Sequence, residues 1–348
     1  MSKLVSILIP CFNAERWLAE AIESCLNQTY SNIEIIIIDD GSTDRSPEII
    51  KQYSSTIHRC RIISKFTPNR GGNHARNLAF SLSHGDYIQY LDADDYILPE
   101  KIEKQVNFLE AVNADIVYGD WRRLYHQSDS SIVWGDPQIS GEQSNLLERL
   151  LANDWWVAVA AFLYRRESVE KIGGWDENLT VAQDRDFFLR CVLSEAQVVY
   201  QSGCDSIYRY YGNVTVSTRS HRQWLYGHIT ATAKAEKALS RADKLTKSNR
   251  DAIARSYLDS ARGMVQYDFH TYLSLVQKIA TLDPSSNFNS YRFSFKAVQS
   301  LFGFERAEKL VGLLLLTKIK MNSRKGKLTQ WLQLQKDEFS TQPSSDNA

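Results

Sequence analysis

Ile33-Glu34-Ile35-Ile36-Ile37-Ile38-Asp39-Asp40-Gly41-Ser42-Thr43-Asp44 decides the fold class of this 348-residue chain. Its apolar residues do not alternate with polar ones, as they would on a sheet with one wet face. Ile35 to Ile38 follow one another without a break, the pattern of a strand covered on both sides in a parallel sheet. The run then stops at two carboxylates and a set of turn residues. Strand-like runs also occupy residues 4–9, 60–65, 87–91 and 116–118, and helical patterns fill 14–28, 46–53, 73–83 and 99–110. Strand–helix alternation of this kind predicts an α/β layered fold. Such sheets take ligands beyond the carboxyl ends of their strands. Two acidic groups stand at such ends: Asp39-Asp40, and Asp92-Ala93-Asp94-Asp95 after Tyr87-Ile88-Gln89-Tyr90-Leu91.

Carboxylates as closely spaced as Asp92, Asp94 and Asp95 disfavour one another's ionisation, and a cation relieves this. Hard oxygen ligands suit Mg²⁺ or Mn²⁺, which are held by one or two carboxylates together with substrate phosphates. The competing reading of the same residues is a solvated acidic turn.

Past residue 120 the pattern loosens. Residues 126–131 read as a loop, 142–152 as a helix, 157–164 as a strand and 184–194 as a helix, with the turn Gly173-Gly174-Trp175-Asp176-Glu177 before the last. From about residue 223 to 335 the chain reads helical, interrupted at Asp283-Pro284-Ser285-Ser286, and residues 341–348 read as disordered. The expected division is an α/β domain over 1–220, a helical region over 221–340 and a tail over 341–348.

Hydrophobic residues at 43% and charged residues at 24% belong to a soluble globular protein. The five cysteines form no C-x-x-C pair and read as reduced core residues of a cytosolic protein. Met1-Ser2-Lys3 leads straight into a strand pattern, so no signal segment is expected and the expected location is cytoplasmic. No apolar run approaches the roughly 20 residues that span a bilayer. The net charge of zero conceals an asymmetry. Residues 1–220 hold 21 Lys and Arg against 30 Asp and Glu, and residues 221–348 hold 20 against 11. An acidic front and a basic back argue for parts with different partners. Nucleic acid is not among those expected.

Five separated segments carry a resemblance. They are Ile9-Pro10-Cys11-Phe12-Asn13, the turn from Asp39 to Asp44, Asn69-Arg70-Gly71-Gly72-Asn73-His74-Ala75-Arg76-Asn77, the Asp92–Asp95 cluster, and Val181-Ala182-Gln183-Asp184-Arg185-Asp186-Phe187. In this order, over about residues 3–217, the chain resembles the inverting family 2 glycosyltransferases. The resemblance implies the GT-A fold, a Rossmann-like mixed sheet flanked by helices, here with a C-terminal helical extension. A dinucleotide-binding domain would need G-x-G-x-x-G after a strand. A sugar nucleotidyltransferase would need glycines in the first turn, where Pro10-Cys11-Phe12-Asn13-Ala14 has none.

The resemblance implies roles for particular residues. Pro10, Phe12, Asn13, Asp39, Asn69, Gly72, Arg76, Asn77, Asp92, Ala93 and Asp94 would bind the nucleotide-sugar, with Asp39 on the base or ribose. Asp94 and Asp95 would hold Mg²⁺ or Mn²⁺. Asp184 would be the catalytic base, and Trp175, Asp176 and Glu177 would border the acceptor. Arg209 would meet the diphosphate. The family often carries Tyr-Arg-x-His at this point, whereas Tyr208-Arg209-Tyr210-Tyr211 puts Tyr211 in the histidine position, with His221 nearby in sequence. Plainer readings stand beside these: Asp39 as a turn residue, Ser42, Asp44 and Asp184 as helix caps, and Trp175 as core. Trp155-Trp156 reads equally as packing or as an acceptor platform.

The implied reaction moves a sugar, from a UDP-sugar by the family's commonest usage, to a glycan or lipid-linked acceptor with inversion. Its setting would be cell-envelope or extracellular polysaccharide assembly. The alternative of a different class is a catalytically silent nucleotide-sugar-binding protein. In the basic part, Lys309-Leu310-Val311-Gly312-Leu313-Leu314-Leu315-Leu316-Thr317-Lys318 precedes Arg324-Lys325-Gly326-Lys327. Such a helix lies on an anionic membrane surface or packs its leucines on the rest of the protein.

Overall fold

β1 (Val5–Cys11) and β2 (Ile33–Asp39) lie side by side in parallel, paired from Val5–Ile33 to Cys11–Asp39. Every residue of β2 is buried, as its unbroken isoleucine run requires. β3 (Arg61–Phe66) adds in parallel outside β2, and β4 (Tyr87–Tyr90) adds in parallel on the other side of β1. The chain therefore winds outward from β1 to β3 and then returns beside β1. That reversal opens a crevice at the carboxyl ends of β1 and β4. The connections are α1 (Leu18–Leu26), α2 (Ser46–Ser55) and α3 (Gly72–Leu82). On α1, Leu18, Ala21, Ile22 and Cys25 recur at helical spacing and are buried, with Leu18, Ile22 and Cys25 joining the cluster of Ile7, Ile9, Ile35 and Ile37. Each fully buried isoleucine or leucine contributes about 1.5–3 kcal/mol.

The computed structural model describes residues 2–127, 129–212, 220–282 and 303–339, with side chains as far as 321 in the last segment. After β4 come β5 (Tyr96–Ile97), α4 (Lys101–Val112), β6 (Ile116–His126), β7 (Ile132–Gln138), α5 (Leu146–Ala152), a 3₁₀ turn at Val159–Ala161, β8 (Phe162–Arg165), α6 (Arg166–Ile172), α7 (Gln183–Leu193) and β9 (Val198–Tyr210). The sheet runs β3-β2-β1-β4-β8-β6-β9-β5, with β7 paired to β6. β8 is antiparallel to both β4 and β6, so the sheet is mixed. This is the expected GT-A-like α/β class. Lys101 is fully enclosed and ties α4 to the sheet by donating from Nζ to Gln89 Oε1 and to the Phe162 carbonyl; burial holds its amine well below the usual range.

The second half of the sheet corrects several expectations. The strand expected at 116–118 continues to His126, and the loop at 126–131 leads into β7, which the pattern does not announce. β9 is 13 residues long, and over most of its length the sequence carries no strand pattern. The strand expected at 157–164 is a 3₁₀ turn followed by β8, and the helix expected from 142 begins at Leu146.

Two compact units divide the chain, residues 1–253 and 254–348. The first extends past residue 220 to include α8 (His221–Arg241), whose amino end is capped by Ser220 Oγ accepting from Gln223 N at 3.3 Å. The second holds most of α9 (Lys247–Met264) with α10 (Phe269–Leu282) and α11 (Phe304–Phe339). Its core contains Tyr257, Met264, Tyr272, Val276, Ile279 and Phe304, and fully enclosed Glu308 pairs with Arg262 at 3.1 Å. The helix break expected at 283–286 and the disordered tail expected at 341–348 lie outside the described residues. Among the described residues no helix is long and apolar enough to cross a membrane.

Candidate functional site

The carboxyl end of β2 is a polar turn pressed against the loop that enters α3. Asp39 is 3% exposed; its Oδ2 accepts from Ser42 N at 3.2 Å, and its Oδ1 is buried with no protein partner. A buried acceptor without a donor is costly unless a ligand satisfies it. Asp40 differs: its two oxygens take the backbone N–H groups of Arg70 and Gly71, each at 2.8 Å. Asn13, at φ 50°, accepts from Thr43 N through Oδ1 at 2.8 Å, and Asp44 accepts from Glu15 N and Ser46 N. Gly41 has φ +78°, and a Cβ there would stand 2.7 Å from Asn69 N. Only glycine allows that approach. Asn69, Gly72 and half-exposed Phe12 remain open around this turn.

α3 then reaches toward the aspartate cluster. Arg76 donates from Nη2 to Asp92 Oδ1 at 2.6 Å while its guanidinium covers the Trp175 ring at 4.6 Å. Asn77 is expected on the nucleotide-sugar, but it fastens the Gly173–Glu177 turn instead. Its Nδ2 donates to the Trp175 carbonyl and Glu177 Oε1, and its Oδ1 accepts from Trp175 N.

The cluster itself divides in two. Asp95 is 2% exposed and accepts from Arg209 N at 2.8 Å, joining the Asp92 turn to β9. Asp94 is partly exposed and accepts from the Tyr211 hydroxyl at 2.8 Å. Burial first, then the charge of Asp92, raises the Asp94 carboxyl above its ordinary range. Asp95 is raised further, by burial and then by Asp94 and Asp92. Of the pair expected to hold metal, Asp94 is the accessible one, and Asp95 is an internal strut. Among the described residues no three His, Cys, Asp or Glu side chains form a complete metal site. The donor set fits a hard cation that takes its other ligands from substrate phosphate and water.

Arg209 departs from expectation. Its side chain is 1% exposed and lies over the Trp17 ring at 4.3 Å. Its Nη2 donates to Glu20 Oε2 at 2.6 Å, its Nη1 to the Asp94 carbonyl at 2.7 Å, and its Nε to His126 Nε2 at 3.1 Å. Enclosed and bonded through all three of its guanidinium nitrogens, it braces the cluster rather than presenting an open fork to a diphosphate. His221, the histidine that follows Tyr211 in sequence, begins α8 and stacks on Trp224.

Asp184 occupies the first turn of α7, after Ala182 at φ 56°. Its Oδ2 accepts from Trp156 Nε1 at 2.6 Å and its Oδ1 from Arg185 N at 2.8 Å. Asp186 is buried between Arg190 at 2.8 Å and Lys234 at 2.5 Å, which removes it as a base. Lys234 also grips Asp176 at 2.7 Å, and that contact lowers the Asp176 carboxyl. The acceptor turn therefore needs correction. Trp175 is 4% exposed, stacked on Phe187 at 4.3 Å with Arg76 over its ring, so it has no open face. Glu177 alone of that trio is exposed.

The adjacent tryptophans separate. Trp155 packs on Tyr118 and Phe188, while Trp156 is 41% exposed beside Asp184. Tyr208 lies between the two acidic groups: its ring meets Trp156, which bonds Asp184, and its neighbour Arg209 bonds Asp95. The Tyr208 phenol is raised by burial, then by the charges of Asp95, Asp94, Asp92 and Asp184. Sequence reasoning gives Tyr208 no role; its only signal is the place next to Arg209.

Comparisons with known proteins bear on the family and the fold. The family profile described as Glycosyl transferase family 2 matches residues 6–173. An uncharacterized glycosyltransferase of Haemophilus influenzae is 34% identical over 224 residues, covering 64% of this chain and 85% of the relative. Among solved structures, S. aureus TarS (1–349) in complex with UDP-GlcNAc superposes with a TM-score of 0.58 at 15% identity, over 88% of this chain and 90% of that one. The mannosyltransferase PcManGT from Pyrobaculum calidifontis, in complex with GDP-Man and Mn²⁺, gives 0.53 at 15% identity over 91% and 86%. At such identities the structural likeness speaks for the fold alone.

Proposed function

The chain belongs to the family 2 glycosyltransferases, and from that premise we propose that it transfers a sugar from a nucleoside-diphosphate sugar to a hydroxyl acceptor, with Asp184 as the base. The observation that carries this reading is the geometry on either side of Tyr208: its ring meets Trp156, which bonds Asp184 at 2.6 Å, and the N–H of its neighbour Arg209 bonds Asp95 at 2.8 Å. A donor-side acidic group and a separate carboxylate thus share one crevice. A silent binding protein has no use for the second.

Asp39 Oδ1, buried without a partner, suits an N–H of a nucleobase. Phe12, half exposed beside it, offers a face for the base. Asp94, with Asp92 beside it, would hold Mg²⁺ or Mn²⁺; a bound divalent cation supplies Lewis-acid neutralisation of the leaving diphosphate. The acceptor oxygen attacks the anomeric carbon and its proton passes to the Asp184 carboxylate. The bond from that carbon to the phosphate oxygen breaks, and the nucleoside diphosphate leaves with the electron pair. One in-line displacement inverts the anomeric configuration. UDP-linked hexose or N-acetylhexosamine is the proposed donor class, in keeping with the UDP-GlcNAc that S. aureus TarS binds. A glycan or lipid-linked acceptor is the proposed partner, with the basic helical part resting on an anionic membrane face.

The test is release of nucleoside diphosphate from a panel of nucleotide-sugars. Wild-type protein turns over with Mn²⁺, EDTA abolishes turnover, and Asp184→Asn lowers it by about a hundredfold or more. Turnover unaffected by Asp184→Asn would remove the base from this site, and a product that keeps the donor's anomeric configuration would exclude the single displacement.

A further inference from the structure

The bond between Trp156 and Asp184 is built from three directions. Asn153, left-handed at φ 58°, ends α5 and turns the chain into the segment that carries Trp156. Arg149 holds that segment by donating to Asp154 Oδ1 at 3.0 Å and to the Asp154 carbonyl at 3.1 Å. Arg185, next to Asp184 and 5% exposed, donates to the carbonyls of Leu150 and Leu151 at the end of α5 and to Thr232 Oγ1 on α8. The helix that carries the carboxylate and the loop that carries the indole are thus fastened to each other through one buried guanidinium. Trp121 and Tyr208 meet the Trp156 ring nearly edge-on, at 4.9 Å and 86° and at 5.6 Å and 79°.

We propose that Trp156 is a positioning residue for Asp184: its indole N–H holds Oδ2 at 2.6 Å and so fixes the plane of the carboxylate that receives the acceptor's proton. The proposal rests on the reading of Asp184 as the base. A carboxylate at a helix start, tied only to the N–H of the next residue, can swing about its side-chain bonds. A second bond from a separately anchored ring restricts it to one orientation. Each oxygen keeps a further lone pair for the incoming proton. Proton transfer in a displacement is steep in geometry, and a misplacement of about 1 Å costs on the order of a hundredfold in rate. Packing alone does not account for the bond, because 41% of the residue lies in solvent and the ring is already held by Trp121 and Tyr208.

Trp156→Phe keeps a ring against Trp121 and Tyr208 and removes the N–H. The assay is nucleoside diphosphate release with water as acceptor. Its donor is whichever of UDP-glucose, UDP-galactose, UDP-GlcNAc and GDP-mannose most raises the melting temperature. The expected result is a kcat lower by about 10- to 100-fold, a donor KM within about twofold and an unchanged melting temperature. Trp156→His, which retains a ring N–H, recovers part of the lost kcat. Added to Asp184→Asn, the Trp156→Phe change has no further effect, because the indole acts only through the carboxylate. A wild-type kcat in Trp156→Phe overturns the proposal, as does a loss expressed in donor KM alone or an undiminished loss in the Asp184→Asn background. Wild-type kcat in Asp184→Asn by itself overturns instead the base reading on which the proposal stands.

Discussion

Arg209 is the residue whose chemistry is decided by its surroundings rather than its type. A guanidinium that is 1% exposed and bonded to Glu20, His126 and the Asp94 carbonyl acts as internal bracing. Removing it leaves the Asp94 carbonyl and a half-exposed Glu20 carboxylate without their donor. Discounted for the exposure of Glu20, the loss is about 2–3 kcal/mol. Arg209→Ala should therefore lower the melting temperature by roughly 5–10 °C, and thermal denaturation without ligand reads this directly. An unchanged melting temperature with a raised donor KM would return Arg209 to the diphosphate. The partners of Arg209 lie as far away as Glu20, 189 residues earlier, so the stretch Tyr208-Arg209-Tyr210-Tyr211 could not reveal this role. Trp175 is a similar case, since its type allows a sugar platform but Phe187 and Arg76 cover its faces. The placement of Asp39, Asp94 and Asp184 in the fold was legible for the opposite reason. A carboxylate following an apolar strand, or opening a helix, carries its placement in its immediate neighbours.

At the scale of elements, the turn after β2 shows how local sequence sets the site. Gly41 at φ +78° lets the 39–44 turn and the Asn69 loop meet with no side chain between them. Gly41→Ala would add left-handed strain and a clash with Asn69 N, together about 1–3 kcal/mol. The expected outcome is a lower urea midpoint and a weaker donor affinity by thermal shift, because Asp39 rides on the same turn. A wild-type urea midpoint would contradict the account of this contact. The parallel half of the sheet and its helices were readable because isoleucine runs and helical spacing are local signals. The half built from β6, β7 and β9 was not. Adjacent arginines interrupt its apolar residues, as in Trp121-Arg122-Arg123-Leu124-Tyr125, and the register between β6 and β9 shifts at Gly119, Asp120 and Trp121. The guanidinium groups there lie over tryptophan rings, Arg122 on Trp134 and Arg123 on Trp121, so charged residues stand where a strand pattern needs apolar ones.

At the scale of the whole molecule, net charge divides into −9 over residues 1–220 and +9 over the rest, and α11 carries a concentrated part of the positive share. Between Lys309 and Lys327 the sequence has six Lys and Arg and no Asp or Glu. In the second unit, Gly312 lets α11 approach the Tyr272 ring, while Leu310, Leu313 and Leu314 are 48%, 53% and 63% exposed. Lys309 and Lys318 are exposed on the same stretch. Exposed leucines flanked by lysines match an anionic lipid surface, where each lysine adds about 1 kcal/mol and salt within a Debye length screens it. A neutral membrane lacks the charge, and a water-facing helix has no need of the leucines. Full-length protein should therefore sediment with phosphatidylglycerol vesicles at low salt, release as salt rises, and ignore phosphatidylcholine vesicles. Leu313→Glu with Leu314→Glu should abolish sedimentation and change the melting temperature little, because more than half of each residue is already in water. Binding that survives this pair of substitutions would put the contact elsewhere on the chain, and absence of binding by the wild type at low salt would sink the proposed membrane contact.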